Sequence, residues 1–266
     1  MSPWRRPAAR RRKKLFMTTA TGETRLVPAV LDAAMSARAI SVAILFLVVL
    51  AALELTLGES FYIYNPAVTG NQRIPANEIV AASQIETLHV LWLQPERAAS
   101  TLVNNMTELR SAFIWCGLPA ECTIMIAERE PAFEWRQGQT RTWVDADGVA
   151  FPARGQSPDI PVIEVSPSVP ALLPGQQVDR ALVDTLLELV RVLPEIKTFR
   201  YTTERGVEFN DPQANWPVYV GVGRSVPGEM AARVTMWRTV AAHLASRNVR
   251  PKFVDVRYPQ APYYGK

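Results

Sequence analysis

Few side chains in this sequence have the type and spacing that chemistry requires. The two histidines, His89 and His243, are too far apart for a local metal motif, and both read as ordinary surface or helix residues. Glu128 and Glu130 alternate along a strand pattern and point to one face, as a general acid and base would. Arg129 between them and the basic context give them a solvated or packing role instead. Asp145 and Asp147 are carboxylates that calcium could use, yet no EF-hand ligand spacing follows. Asp147-Gly148 reads as a tight turn, because Gly accepts the positive φ that hairpins need. The run Gly221-Val222-Gly223 lacks the G-x-G-x-x-G spacing, and Pro227 interrupts the turn into the next helix. No G-x-S-x-G, S-x-x-K, H-E-x-x-H or P-loop occurs. These residues point to no catalytic, cofactor-binding or metal site, and an enzyme is disfavoured. The two cysteines, Cys116 and Cys122, flank GLPAE between the apolar runs SAFIW and TIMIA. On a hairpin they would face each other, and outside the cytoplasm they could form a disulfide; a pair of buried free thiols is the alternative. Their spacing is not that of CxxC redox chemistry.

The element that places everything else is ISVAILFLVVLAALELTL, residues 40–57. It holds no Gly or Pro and one charge, Glu54, and with Ala39 it reaches 19 residues. At about 1.5 Å per residue that spans roughly 30 Å of hydrocarbon, so a transmembrane helix is expected. Residues 1–38 carry nine Lys and Arg against Glu23 and Asp32, a net charge of +7. The positive side stays in the cytoplasm, which leaves the C-terminal part outside. The whole chain is +4, so residues 39–266 sum to −3, and the basic balance belongs to the tail. It gives no support to nucleic-acid binding. No small-residue cleavage pattern follows Leu57, and Phe61, Tyr62 and Tyr64 read as an interfacial aromatic belt.

The outer part reads as α+β. FYIYNPAVTGN is a short strand and turn, and PANEIVAASQI is a helix with Ile79, Ala82 and Ile85 on one face. LQPERAASTLVNN is a second helix, with Pro95 and Glu96 at its start and Ala98, Leu102 and Val103 apolar on one side. Strands follow over 111–116 and 122–128. Beyond them, TWVDADGVAF is a hairpin, and FRYTTERGVEFN, WPVYVGVG and FVDVRY alternate as strands. Two helices carry apolar stripes: Leu182, Leu186, Leu189, Val190 and Leu193 on one, and Met230, Val234, Trp237, Ala241 and Leu244 on the other. Arg233, Arg238 and Arg247 lie off the second stripe. A mixed sheet covered on one face by two helices is expected.

The order strand, helix, helix, strand, strand directly after a membrane span looks like a POTRA domain. The run CTIMIAEREPAFEW, with Glu128, Arg129, Glu130, Pro131 and Trp135, resembles the hallmark of the bacterial cell-division family FtsQ, also called DivIB. TWVDADGVAF, VDRALVDTLLELVRVLP and FVDVRYP match further motifs of that family in the same order. The resemblance implies a basic cytoplasmic tail (1–38), a transmembrane helix (39–57), a POTRA domain (61–130) and an FtsQ-type β domain (131–266). It implies a non-enzymatic scaffold at the septum of the cytoplasmic membrane. Its partners would be FtsB/FtsL-like coiled-coil membrane proteins, with no cofactor, nucleic acid or small-molecule substrate.

In that family partners contact the last strand, and Arg257 and Tyr258 match its R-Y pair. A terminal strand over 253–258 would offer unpaired N–H and C=O groups to another chain. Tyr263 and Tyr264 are further edge contacts by this reading. A POTRA-bearing translocation or chaperone factor is the alternative, although no run of membrane β-strands follows. A cell-wall hydrolase would need paired carboxylates or an aromatic platform, whereas Trp135, Trp143, Trp216 and Trp237 are spread over different elements.

Overall fold

The uninterrupted apolar run forms one helix, α1 (Ala37–Leu57), in the computed structural model, which describes residues 37–155 and 159–265. The expected basic tail falls, except for its last two residues, outside the described residues. Within α1, Ala39–Leu57 has a mean hydropathy of 2.6, long and apolar enough to cross a membrane once. Gly58 closes it, its N–H donating to the Glu54 carbonyl at 2.8 Å.

Residues 59–265 form a separate unit built on two sheets, each with its own hydrophobic core. The first contains β1 (Ala67–Thr69), α2 (Ala76–Ser83), α3 (Pro95–Asn105), β2 (Leu109–Gly117) and β3 (Glu121–Glu128). Its strand order is β1-β3-β2, with β3 parallel to β1 and antiparallel to β2. Pro95 starts α3 where its missing N–H costs nothing, and Glu96 meets the positive helix end. Ile79, Ile85, Leu102, Leu109 and Ile124 are wholly buried between helices and sheet. The strand expected from FYIYNPAVTGN shrinks to the three residues of β1. Phe61 and Tyr62 are drawn instead against His89, stacked and edge-on, with ring centroids 6.0 and 5.0 Å away. His89 is therefore not a surface residue: it is buried, and its Nδ1 accepts from the Leu91 N–H at 3.3 Å.

The second sheet contains β4 (Pro131–Gln137), β5 (Thr140–Asp145), β6 (Ala150–Pro152), β7 (Val162–Val165), β8 (Thr198–Thr202), β9 (Gly206–Asn210), β10 (Pro217–Tyr219), β11 (Phe253–Asp255) and β12 (Tyr263–Gly265). Among the described residues its order is β12-β11-β10-β9-β8-β7-β4-β5-β6. It is mixed, with β4/β7, β7/β8 and β10/β11 parallel. Parallel neighbours need crossovers, and α4 (Arg180–Val192) and α5 (Glu229–Ser246) supply two of them. Asp179 caps α4, its Oδ1 accepting from the N–H groups of Ala181 and Leu182 at 2.8 and 3.3 Å. Leu182, Leu186, Leu189 and Leu193 pack with Met230, Val234, Trp237 and Leu244 in one core with the sheet, as the stripes require. Arg233 departs from expectation. It is buried on α5, where its guanidinium donates to the Val220 carbonyl and to Glu229.

The β5–β6 hairpin turns on Asp145, whose Oδ1 accepts from the N–H groups of Asp147 and Val149, with Gly148 at φ +85°. The β2–β3 hairpin places Cys116 opposite Cys122, Cα atoms 4.1 Å apart, and joins their sulfurs in a disulfide.

Candidate partner-binding edge

Alternation along the last strands decides what the surface displays. Val218, Val220, Val254 and Val256 face the helices, so Tyr219, Phe253, Asp255 and Arg257 fall on the opposite side. There Tyr219 stacks on Phe253 at 5.2 Å and Phe253 meets Tyr263 edge-on at 5.9 Å, a continuous aromatic row over β10, β11 and β12. Arg205 extends the row, its Cζ 4.8 Å from the centre of the Tyr219 ring and its Nη1 donating to the Tyr219 hydroxyl at 3.0 Å.

Asp255 is the fixed point of this surface. Burial alone would raise its pKa, but the Arg257 side chain and backbone N–H and the Tyr263 hydroxyl outweigh that and hold it below the usual carboxylate range. Arg257 forks onto it, Nε donating to Oδ2 at 2.9 Å and Nη2 to Oδ2 at 2.7 Å. The hydrogen bonds from Arg257 to Asp255 push the guanidinium pKa up in turn. The stem of Arg257 crosses Gly221, where a Cβ would stand 3.0 Å from Arg257 Cγ at φ +75°. Gly206 does the same for the loop itself, since its Cβ would meet Gly221 Cα at 2.8 Å. Glycine there serves close chain approach.

Beside this lies a groove of about 470 Å³ lined by Arg205, Arg224, Arg233, Arg257, Glu229 and Tyr258. Glu229 is also held below its ordinary range: burial opposes this, and the Arg224 N–H and the Arg233 charge prevail. Carboxylates locked to arginines in this way suit recognition better than proton exchange. Among the described residues no His, Cys, Asp and Glu cluster could hold a metal ion.

The strand over 253–258 is not the terminal edge. It ends at Asp255, and β12 pairs antiparallel along its outer side, Asp255 opposite Tyr263 and Val254 opposite Tyr264. The reversal is a turn at YPQA, in which Pro259 presets the bend and the Ala261 N–H donates to the Tyr258 carbonyl at 2.9 Å. Tyr258 thus stands in the turn, 68% exposed, and the outer strand is β12, carrying exposed Tyr263 and Tyr264. Arg257, Tyr258, Tyr263 and Tyr264 are brought to one end of the sheet. Arg205, Tyr219 and Asp255 were missed; the alternation of FVDVRY was the available signal for Asp255. Glu130 is exposed, while Glu128 is held elsewhere by Arg73. The histidines stay apart, His89 with the first sheet and His243 exposed on α5.

No protein-family model matches the chain. It is 26% identical over 212 residues to the cell division protein FtsQ of Chloroflexus aurantiacus, an alignment covering 77% of this chain and 73% of that protein.

Proposed function

We propose that this chain, which belongs to the FtsQ/DivIB family, is a non-enzymatic scaffold of the bacterial division machinery, anchored by α1 with its basic tail in the cytoplasm. The observation that carries the proposal is the outer edge of β12 next to Tyr258, which no other strand pairs among the described residues, set on the Asp255–Arg257 pair. An extended segment of an FtsB/FtsL-like coiled-coil membrane protein can add to that edge as a further strand, with Tyr258 and Tyr264 against its side chains. The central β3 with β1 parallel and β2 antiparallel, backed by α2 and α3, supports reading residues 61–130 as a POTRA domain and 131–266 as the family's second domain. The site of action is the septum. A translocation or chaperone role would draw on a different sheet edge, β2 of the first sheet, with its exposed Phe113 and Trp115.

The test is a titration of the full chain in nanodiscs with such a partner. Tyr258→Ala weakens binding by about tenfold, roughly 1.4 kcal/mol, as expected of an exposed aromatic anchor. Its melting temperature stays that of the wild type, because the ring supports no core contact. Equal affinity of the two proteins would rule out the assignment.

A further inference from the structure

We propose that residues 87–95, TLHVLWLQP, are a lipid-contacting segment that seats the extracytoplasmic unit on the membrane surface. The inference rests on the reading that α1 spans the bilayer. Between Glu86 and Glu96 this stretch holds no Asp, Glu, Lys or Arg. It nevertheless presents Leu88, Leu91 and Trp92 at 44%, 45% and 78% exposure. The segment has a defined shape. His89 caps a short 3-10 turn, Val90–Trp92, and its carbonyl accepts from the Trp92 N–H at 3.0 Å.

Its location follows from what it is bonded to. The Ile63 N–H donates to the Leu88 carbonyl at 3.0 Å, the Thr87 N–H donates to the Ile63 carbonyl at 2.7 Å, and Tyr62 bridges to His89. Phe61 and Tyr62 clasp the His89 ring, and Tyr64 beside them is exposed. Phe61 is four residues past Leu57, where the apolar span ends, a reach of at most about 14 Å of extended chain. Segment 87–92 is hydrogen-bonded to that linker and so stays close to the lipid surface. An interfacial layer about 5–8 Å thick on each side is within its reach. Exposed Trp, Leu and Tyr without charge are the side chains that partition there, the rings at headgroup level and the leucines toward the acyl boundary. The lipid is continuous with the span already anchoring the chain, and this decides for bilayer over protein as the occupant.

The test uses the full chain in phospholipid nanodiscs with one introduced thiol carrying a fluorophore. Cys116 and Cys122 are bonded and do not compete for the label. Labels go separately on Leu47→Cys in α1, Trp92→Cys and Leu88→Cys in the segment, and Thr239→Cys at an exposed position of α5. The expected result is quenching at 47 by nitroxide deep in the acyl chains, and quenching at 92 and 88 by headgroup nitroxide severalfold stronger than at 239. Quenching at 47 with 92 and 88 no different from 239 overturns the contact and leaves the span intact. No quenching at 47 overturns both. Shielding of 92 that appears only after another protein is added overturns the lipid assignment in favour of a protein partner.

Discussion

The carboxylate of Glu128, its side chain 5% exposed, accepts from the backbone N–H groups of Gln72, Arg73 and Ile74 and from the Arg73 guanidinium at 2.9 Å. Burial would raise its pKa, and these donors outweigh burial, so the folded value lies below the ordinary 4.5. A depressed carboxylate contributes stability above its unfolded pKa and loses it as pH falls through the folded one. Melting temperature is thus expected to hold from neutral pH down to the carboxylate range and to fall below it. Asp255 acts in the same direction. Glu128→Gln lowers stability at pH 7 by about 2 kcal/mol, through the lost charge-assisted bonds, and flattens the acid limb. Thermal melts of both proteins across that range check this; superimposable acid limbs would contradict it. Glu128 reads as solvated in sequence because its partner lies 55 positions away, and no local spacing announces Arg73. His89 and Arg233 were hidden for the same reason, since their burial depends on Phe61 and on Val220 across other elements.

Helices were the most legible elements. A stripe such as Leu182, Leu186, Leu189 and Leu193 has the helical period and one buried face, so the pattern and the packing are the same fact. The β2–β3 hairpin was legible from two apolar runs around GLPAE, and the register set by that turn makes Cys116 and Cys122 neighbours. Short edge strands were not. β12 has three residues after two prolines, too few for a period, and its pairing with β11 comes from the turn that begins at Tyr258. At this scale the disulfide closes a short loop, and its contribution in the chain-entropy description is about 2 kcal/mol. The double variant Cys116→Ser, Cys122→Ser should lose that much in denaturant unfolding. Reductant should lower the wild type and leave the double variant unchanged; a wild type insensitive to reductant would contradict the bond.

The two sheets meet along a charged seam. Arg129, between β3 and β4, donates Nη1 to Asp145 at 2.6 Å and Nε to the Thr107 carbonyl at 3.0 Å. Arg154 binds Glu108 at 2.9 Å and Glu78 at 2.7 Å, and the hydrogen bond to Glu78 leads in raising its pKa. Arg73 adds its cation over the Trp143 ring, 5.5 Å from the centroid. Such a seam ties β5 and the loop after β6 to the first sheet. Arg129→Ala takes the guanidinium from the Asp145 carboxylate, 7% exposed, leaving it the turn's backbone N–H groups, and should cost about 3 kcal/mol, read as a lower midpoint in urea. An unchanged midpoint would remove the seam from the account. The ordered motifs and the span made the molecule's plan readable, whereas the seam joins residues from distant parts of the chain and was not.

The most direct measurement of the central claim is the position of a functional fluorescent fusion of the full chain in growing cells. A scaffold of the division machinery gives a band at mid-cell before constriction begins. Uniform signal around the cell periphery through the whole cycle would contradict it and leave a fold shared with the family without its role.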